Sequence, residues 1–197
     1  MELSLDLNKR YTYADYLTWM DDVRRELIEG FIKLLPAPRL SHAEVSRNIW
    51  WYLETYLKRN QCKCKVYYAP VDVRFPKNGE TEYDKIDTVV QPDIFVVCDL
   101  TKLDDDGCCG APDMVVEILS PSTAKKDMTE KFVLYETHGV REYWIVHPKD
   151  KAIHVFLLQD NGKFDAGCMY ERKGKIPVHI FDGYLIDLDD IFAEIKS

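Results

Sequence analysis

The sequence predicts a mixed α/β fold, and three observations carry that expectation. Two short apolar runs, VVQPDIFVVCD from Val90 and GAPDMVVEILS from Gly110, read as buried strands that each hold one acid. A strongly amphipathic helix pattern precedes them, and a capped helix pattern follows them. Further strand-like runs close the chain. With 197 residues and 46% hydrophobic content, one sizeable core is affordable, so residues 1–197 are expected to form a single domain, with residues 1–40 as an N-terminal helix and hairpin packed on it.

Taken in order, Thr12 to Met20 reads as a short helix, opened by Thr12 with Asp15 three residues on and striped by Tyr13, Tyr16, Leu17 and Met20. Glu26 to Gly30 and Phe31 to Leu35 read as two strands joined at Glu29-Gly30, where glycine accepts a positive φ; Pro36 and Pro38 end the pairing. Ser41 to Lys58 is the clearest helix, with Ser41-x-x-Glu44 as a capping box and Val45, Ile49, Leu53 and Leu57 at helical spacing. Lys65 to Phe75 reads as a strand interrupted by Pro70, which implies an edge position or a bulge. Pro76 to Asp87 is a polar loop, and the spacer after Asp99 has room for a short helical turn.

After Glu117, Ser120-Pro-Ser-Thr123 breaks the strand and Asp127 caps a helix that Gly139 ends. Asp127, Lys131 and Tyr135 are spaced by four and share one side of it. Glu142 to Val146, Ala152 to Leu158, Lys163 to Glu171 and Pro177 to Phe181 read as strands, and Leu188 to Ile195 as a closing helix.

The formal net charge of -8 argues against broad attraction to a polyanion. Charge is unevenly spread, however. Residues 39–65 carry six basic side chains (Arg39, Arg47, Lys58, Arg59, Lys63, Lys65) against Glu44 and Glu54, which fits either a basic binding face or an ordinary solvated helix. The six cysteines lack paired C-x-x-C zinc spacing, so reduced thiols in a cytoplasmic chain are expected, with Cys108 and Cys109 as small turn residues or an adventitious metal site. No signal-peptide succession and no bilayer-length apolar run is seen, which also points to a soluble cytoplasmic protein.

Period-two geometry puts Asp93 on the face of Phe95 and Val97, and Glu117 on the face of Val115 and Leu119. A carboxylate among apolar neighbours is costly unless it is paired or binds a cation, so Asp93 and Glu117 form a candidate metal site. Two carboxylates with a main-chain carbonyl, for which Ile118 is placed, suit a divalent cation that activates water against a phosphoryl group. Lys131, and after it Lys125 and Lys126, could supply a neighbouring ammonium.

These residues, with Glu26-Leu-Ile-Glu-Gly30, His42 opening a helix, Gln91-Pro92-Asp93, Pro112-Asp113 through Thr123, Asp127-x-x-x-Lys131-x-x-x-Tyr135 and Gly139-Val-x-Glu142-Tyr-Trp144, form an ordered set. In that set the chain resembles the Uma family of putative restriction endonucleases, a branch of the PD-(D/E)XK nuclease superfamily. The resemblance implies a restriction-endonuclease-like core, in which helices flank a mixed central sheet, and hydrolysis of DNA phosphodiesters with magnesium, or manganese, as cofactor. It implies Asp93 and Glu117 as metal ligands and catalytic acids. The superfamily lysine two residues after the glutamate is Leu119 here, and Lys131 is expected to stand in as the third catalytic residue. Glu26, His42, Asp127 and Tyr135 are expected to support the site or bind substrate, and a homodimer is expected because cutting both strands needs two sites.

Each assignment has a plainer alternative. Asp113 reads as a turn former, Asp127 as a helix cap, His42 as a surface histidine near a cap, and Lys131 as the partner of Asp127 on a solvated helix face. The alternative at the level of function is a catalytically weakened, nuclease-like module that binds nucleic acid or protein.

Overall fold

The structure, a computed structural model, describes residues 5–120, 126–171 and 173–193. In chain order its elements are α1 (Tyr13–Tyr16), β1 (Arg25–Ile28), β2 (Phe31–Leu34), α2 (Leu40–Arg59), β3 (Lys65–Tyr68), β4 (Val73–Arg74), β5 (Val89–Val90) and β6 (Ile94–Val97). A 3-10 turn (Leu100–Lys102) leads to β7 (Leu103–Asp104), β8 (Gly107–Cys109), β9 (Met114–Ile118), α3 (Lys126–His138), β10 (Glu142–His147) and β11 (Ala152–Leu157). The chain closes with β12 (Cys168–Glu171), β13 (Lys175–Val178), β14 (Tyr184–Asp187) and α4 (Leu188–Ile191). These elements fall into two compact units, one of Met1–Ala37, Pro70–Gln91 and Thr101–Ala111, the other of Pro38–Ala69, Pro92–Leu100 and Pro112–Ser197.

The first unit is a sheet in the order β2-β1-β5-β4-β8-β7. The expected β1–β2 hairpin is present, and its turn uses φ of 51° at Glu29 and 82° at Gly30. Tyr11, Tyr13, Leu27, Ile32, Ile86 and Val89 form its core. Asp72 is buried there and accepts hydrogen bonds from Tyr13, Tyr16 and Gln91, so its burial is matched by donors. The spacer after Asp99 holds the anticipated helical turn and then a hairpin, β7–β8, that its composition did not suggest. Gly107 is required in it: a Cβ there would lie 2.2 Å from the Asp72 carbonyl oxygen. Helix α1 has the Thr12/Asp15 capping box but stops at Tyr16, short of the expected Met20. A helix this short draws its stability from burial, and Met20 is exposed.

The second unit is a sheet in the order β12-β11-β10-β9-β6-β3, antiparallel except for the central β9–β10 pair. Period two sorts its side chains onto two faces. Ile94, Val96, Met114, Val116, Ile118, Trp144 and Val146 face one way, and Val45, Ile49, Leu53 and Leu57 of α2 pack on them. Tyr143 faces the other way, and Tyr135 and Phe132 of α3 pack on it with ring centroids 5.0 and 6.4 Å away. A mixed sheet with a helix on each face is the expected α/β architecture.

Three of the boundaries that moved did so for local reasons. Helix α2 starts at Leu40 with Arg39 as N-cap and no side-chain cap bond, so Ser41 lies inside the helix instead of capping it. The expected strand 65–75 splits at Pro70 into β3, which does lie at a sheet edge, and β4 of the other unit. Pro92, lacking an N–H, likewise divides β5 from β6. The expectation of reduced thiols is corrected at one pair: Cys64 and Cys98 are joined by a disulfide. The β3–β6 register, Lys65 opposite Val97, extends by one residue to bring Cys64 opposite Cys98. Spacing along the chain carries no trace of that pairing. Among the described residues no helix is long and apolar enough to cross a membrane.

Candidate active site

Register positions the two acids. In the β6–β9 pair, Ile94 lies opposite Val116 and Phe95 opposite Val115, so one further step places Asp93 opposite Glu117. Glu117 lies on the α3 side of the sheet at the end of β9, and Asp93, just before β6, reaches the first turn of α2.

Among the described residues, each carboxylate meets at least two polar partners. Asp93 Oδ2 accepts the Ile118 N–H at 2.7 Å and lies 3.0 Å from His42 Nε2, in the first turn of α2. Glu117 Oε1 accepts from Lys131 Nζ at 2.8 Å and from the Tyr135 hydroxyl at 2.6 Å. Lys131 and Tyr135 are one turn apart on α3, so a single helix face supplies both donors. The Lys131 and Glu117 side chains are only 11% and 12% exposed, which removes most solvent screening from the pair. Lys131 therefore does not follow the solvated-face alternative; its ammonium faces the sheet.

The structure thus brings together His42, Asp93, Glu117, Lys131 and Tyr135. Glu26 belongs to the other unit, where it is buried and accepts the Gln91 N–H at 2.8 Å. Asp127 lies in the first turn of α3, and its side chain is outside the described residues, as are Lys125 and the Lys126 side chain. Asp113 accepts from the Cys98 N–H at 2.7 Å and from Arg141 at 3.1 Å, which ties the start of β9 to its neighbours. Leu119 continues β9 by donating its N–H to the Val146 carbonyl. The contact that residue types could not announce is the Ile118 N–H on Asp93, since a main-chain donor has no sequence signature.

The donor set decides which cation fits. Hard carboxylate and carbonyl oxygens suit magnesium, which is held through one or two carboxylates and keeps several waters. Asp93 keeps Oδ1 outside the bonds just described. Among the described residues no group of three or more His, Cys, Asp and Glu side chains is arranged to hold a metal. Carboxylate oxygens of this kind are hard donors, unlike the thiolates and imidazoles of zinc sites. At Cys108, burial pushes the thiol up to about 12, which disfavours the thiolate that a metal needs.

Known proteins share the fold of this chain. A putative nuclease belonging to DUF820 from Anabaena variabilis ATCC 29413, solved by crystallography, superposes with a TM-score of 0.73 at 20% identity, over 93% of this chain and 98% of that one. At that identity the likeness establishes the fold. No curated protein matches the chain. The sequence matches the Uma2 family, described as "Putative restriction endonuclease", over residues 13–173, a span that contains every residue of the acid pair and its donors. With most of its length inside that match, the chain belongs to the Uma2 family of putative restriction endonucleases.

Proposed function

We propose that this chain is a magnesium-dependent DNA endonuclease, with manganese able to replace magnesium, and that Asp93, Glu117 and Lys131 are its catalytic residues. The observation that carries the proposal is Glu117 with an ammonium delivered to it from α3, next to the Ile118 N–H that binds Asp93. Asp93 and Glu117 would hold the cation, and the Ile118 main chain borders the same point. A bound divalent ion supplies polarisation of a phosphoryl oxygen and a lowered water pKa. His42 holds Asp93 by its bond to Oδ2, and Oδ1 would be the oxygen offered to the cation. Tyr135 and Lys131 fix Glu117 Oε1, and the Lys131 ammonium lies ready to neutralise charge that develops on phosphate.

Leu119 in place of the superfamily lysine favours a second reading, a weakened nuclease that binds nucleic acid or a protein partner and turns over poorly. Plasmid cleavage separates the two. Wild type should nick and linearise DNA only with magnesium or manganese, and Glu117→Gln should not. A wild-type chain that binds DNA without cutting it at any divalent concentration supports the second reading. The proposal includes a homodimer acting in the cytoplasm; light scattering of the wild type with and without DNA tests the dimer.

A further inference from the structure

We infer that His147, at the carboxyl end of β10, contacts the substrate: its imidazole donates a hydrogen bond to a non-bridging oxygen of the phosphodiester that lies against Glu117. The inference rests on the nuclease reading and adds a phosphate contact from the sheet side of the site.

Register brings the histidine to the acid. Strands β9 and β10 run parallel, with Glu117 beside Ile145 and Ile118 beside Val146, and the Leu119 N–H continues the ladder by donating to the Val146 carbonyl at 2.9 Å. One more step sets His147 beside Leu119. Residues two apart on a strand share a face, so Ile145 and His147 point to the same side of the sheet as Glu117. At about 3.3 Å per residue and about 4.8 Å between strands, the Glu117 and His147 Cα atoms are roughly 8 Å apart. Side chains reaching inward from that separation can close on one phosphate.

The neighbours on this face leave the contact to His147. Leu119 and Ile145 are apolar and offer nothing to charge that develops on phosphate. Lys131 enters from α3 and is bonded to Glu117, so a donor from the sheet meets the substrate from another direction. His154 lies opposite Ile145 on β11. Burial first, and then the charge of His147, hold the His154 imidazole below its ordinary pKa, with Asp165 acting the other way, so the two rings are near neighbours. Gly167 covers His154, whose Nε2 a Cβ at that glycine would approach to 2.4 Å. His147 is half-buried, and among the described residues no hydrogen bond or ion pair engages its ring, which keeps a donor to offer.

Opposing charge nearby is limited. Asp165 Oδ1 accepts the Leu157 and Gly167 N–H groups. Glu171 stands opposite Ala152, two strands from His147. The turn after His147 carries Lys149 and Lys151 around Asp150, all exposed, so its balance is positive.

The test takes plasmid cleavage at saturating magnesium, with kcat and KM measured separately, in wild type, His147→Ala and His147→Lys. His147→Ala should lower kcat by about ten- to a hundredfold, the worth of a hydrogen bond to a charged group, and move KM by less than about threefold, because the charge it meets grows in the transition state. His147→Lys should recover most of that loss, since an ammonium donates from the same place; a residue that merely ends a strand would not be repaired by lysine. A second measurement needs no turnover. The ring C–H signal of His147 in proton NMR, identified by its absence from either variant, should shift when wild type in magnesium is titrated with the thymidine dinucleotide TpT. The signal of His138, at the C-terminal end of α3, should not. Wild-type kcat in His147→Ala, a loss that lysine does not repair, or a His147 signal indifferent to TpT overturns the contact and leaves the nuclease reading in place. If wild type cuts no DNA at any divalent concentration, the nuclease reading falls; a TpT-dependent shift then keeps His147 as a phosphodiester contact of a binding module, and an unmoved signal overturns that as well.

Discussion

Replacing Lys131 by methionine separates its two jobs, holding Glu117 and serving the reaction. Breaking a fully buried ion pair by removing one member costs about 3–5 kcal/mol, because the remaining charge is left unpaired. Here both side chains keep about a tenth of their exposure, and the Tyr135 hydroxyl stays on the same oxygen, so a cost just under that range applies, about 2–3 kcal/mol. For a chain of this length, with a shift of roughly 2–4 °C per kcal/mol, the melting temperature should fall by about 5–10 °C. The double variant Glu117→Gln/Lys131→Met carries no orphaned charge and should melt above the single variant. Cleavage by Lys131→Met should drop by about 10²–10³, the typical loss of one electrostatic donor at a reacting centre. Magnesium affinity, in contrast, should hold or rise, since the cation no longer competes with an ammonium for Glu117. Thermal unfolding, calorimetric magnesium titration and plasmid cleavage read the three quantities. Full activity and an unmoved melting temperature in Lys131→Met would refute the reasoning.

Other outcomes follow from the same geometry. His42→Ala leaves Asp93 Oδ2 with only the Ile118 N–H and should cost about 1 kcal/mol of stability with a clear loss of cleavage; His42→Asn should restore part of both, and equal loss in the two variants would mean the histidine bond is irrelevant. Burial raises the pKa of Glu142 above its ordinary 4.5, although Trp144 Nε1 and the Ile180 N–H donate to it. The native state therefore holds that proton more tightly than the unfolded chain. Stability from this group is complete below pH 4.5 and declines as pH rises through the raised native value. Glu142→Gln should remove that decline from a stability–pH profile, and an unchanged profile would contradict the assignment. Loss of the disulfide that spans 34 residues in Cys64→Ser should cost about 3–4 kcal/mol on the loop-closure estimate, and reductant should then destabilise wild type but not the variant; free thiols at both positions in mass spectrometry of the wild type would contradict the pairing.

Glu117 stood out as an acid set into the β-branched run Val115-Val116-Glu117-Ile118, and Asp93 as the acid that opens Ile94–Val97. Lys131 and Tyr135 were legible for the same kind of reason, one turn apart on a helix with clear limits. What the chain order concealed was everything decided by register between distant segments. Cys64 meets Cys98 because β3 and β6 pair in one alignment, and Ile118 offers its N–H to Asp93 because β9 pairs with β6. The division at Pro70 was visible as a broken strand, that at Pro92 was not, since the run from Val90 reads as one strand, and nothing local says that the halves join different sheets. Hairpin β7–β8 was hidden by its acidic, glycine-bearing composition, and it forms because Gly107 can approach the Asp72 carbonyl as no other residue could.

The most direct measurement is a manganese titration followed by water-proton relaxation, on wild type, Asp93→Ala and Glu117→Gln. One ion should bind wild type with water still in its shell, and each substitution should weaken it by at least tenfold. Cleavage of DNA by a wild type that binds no divalent ion, or unchanged affinity in both variants, would contradict a hydrolytic centre built on these two carboxylates.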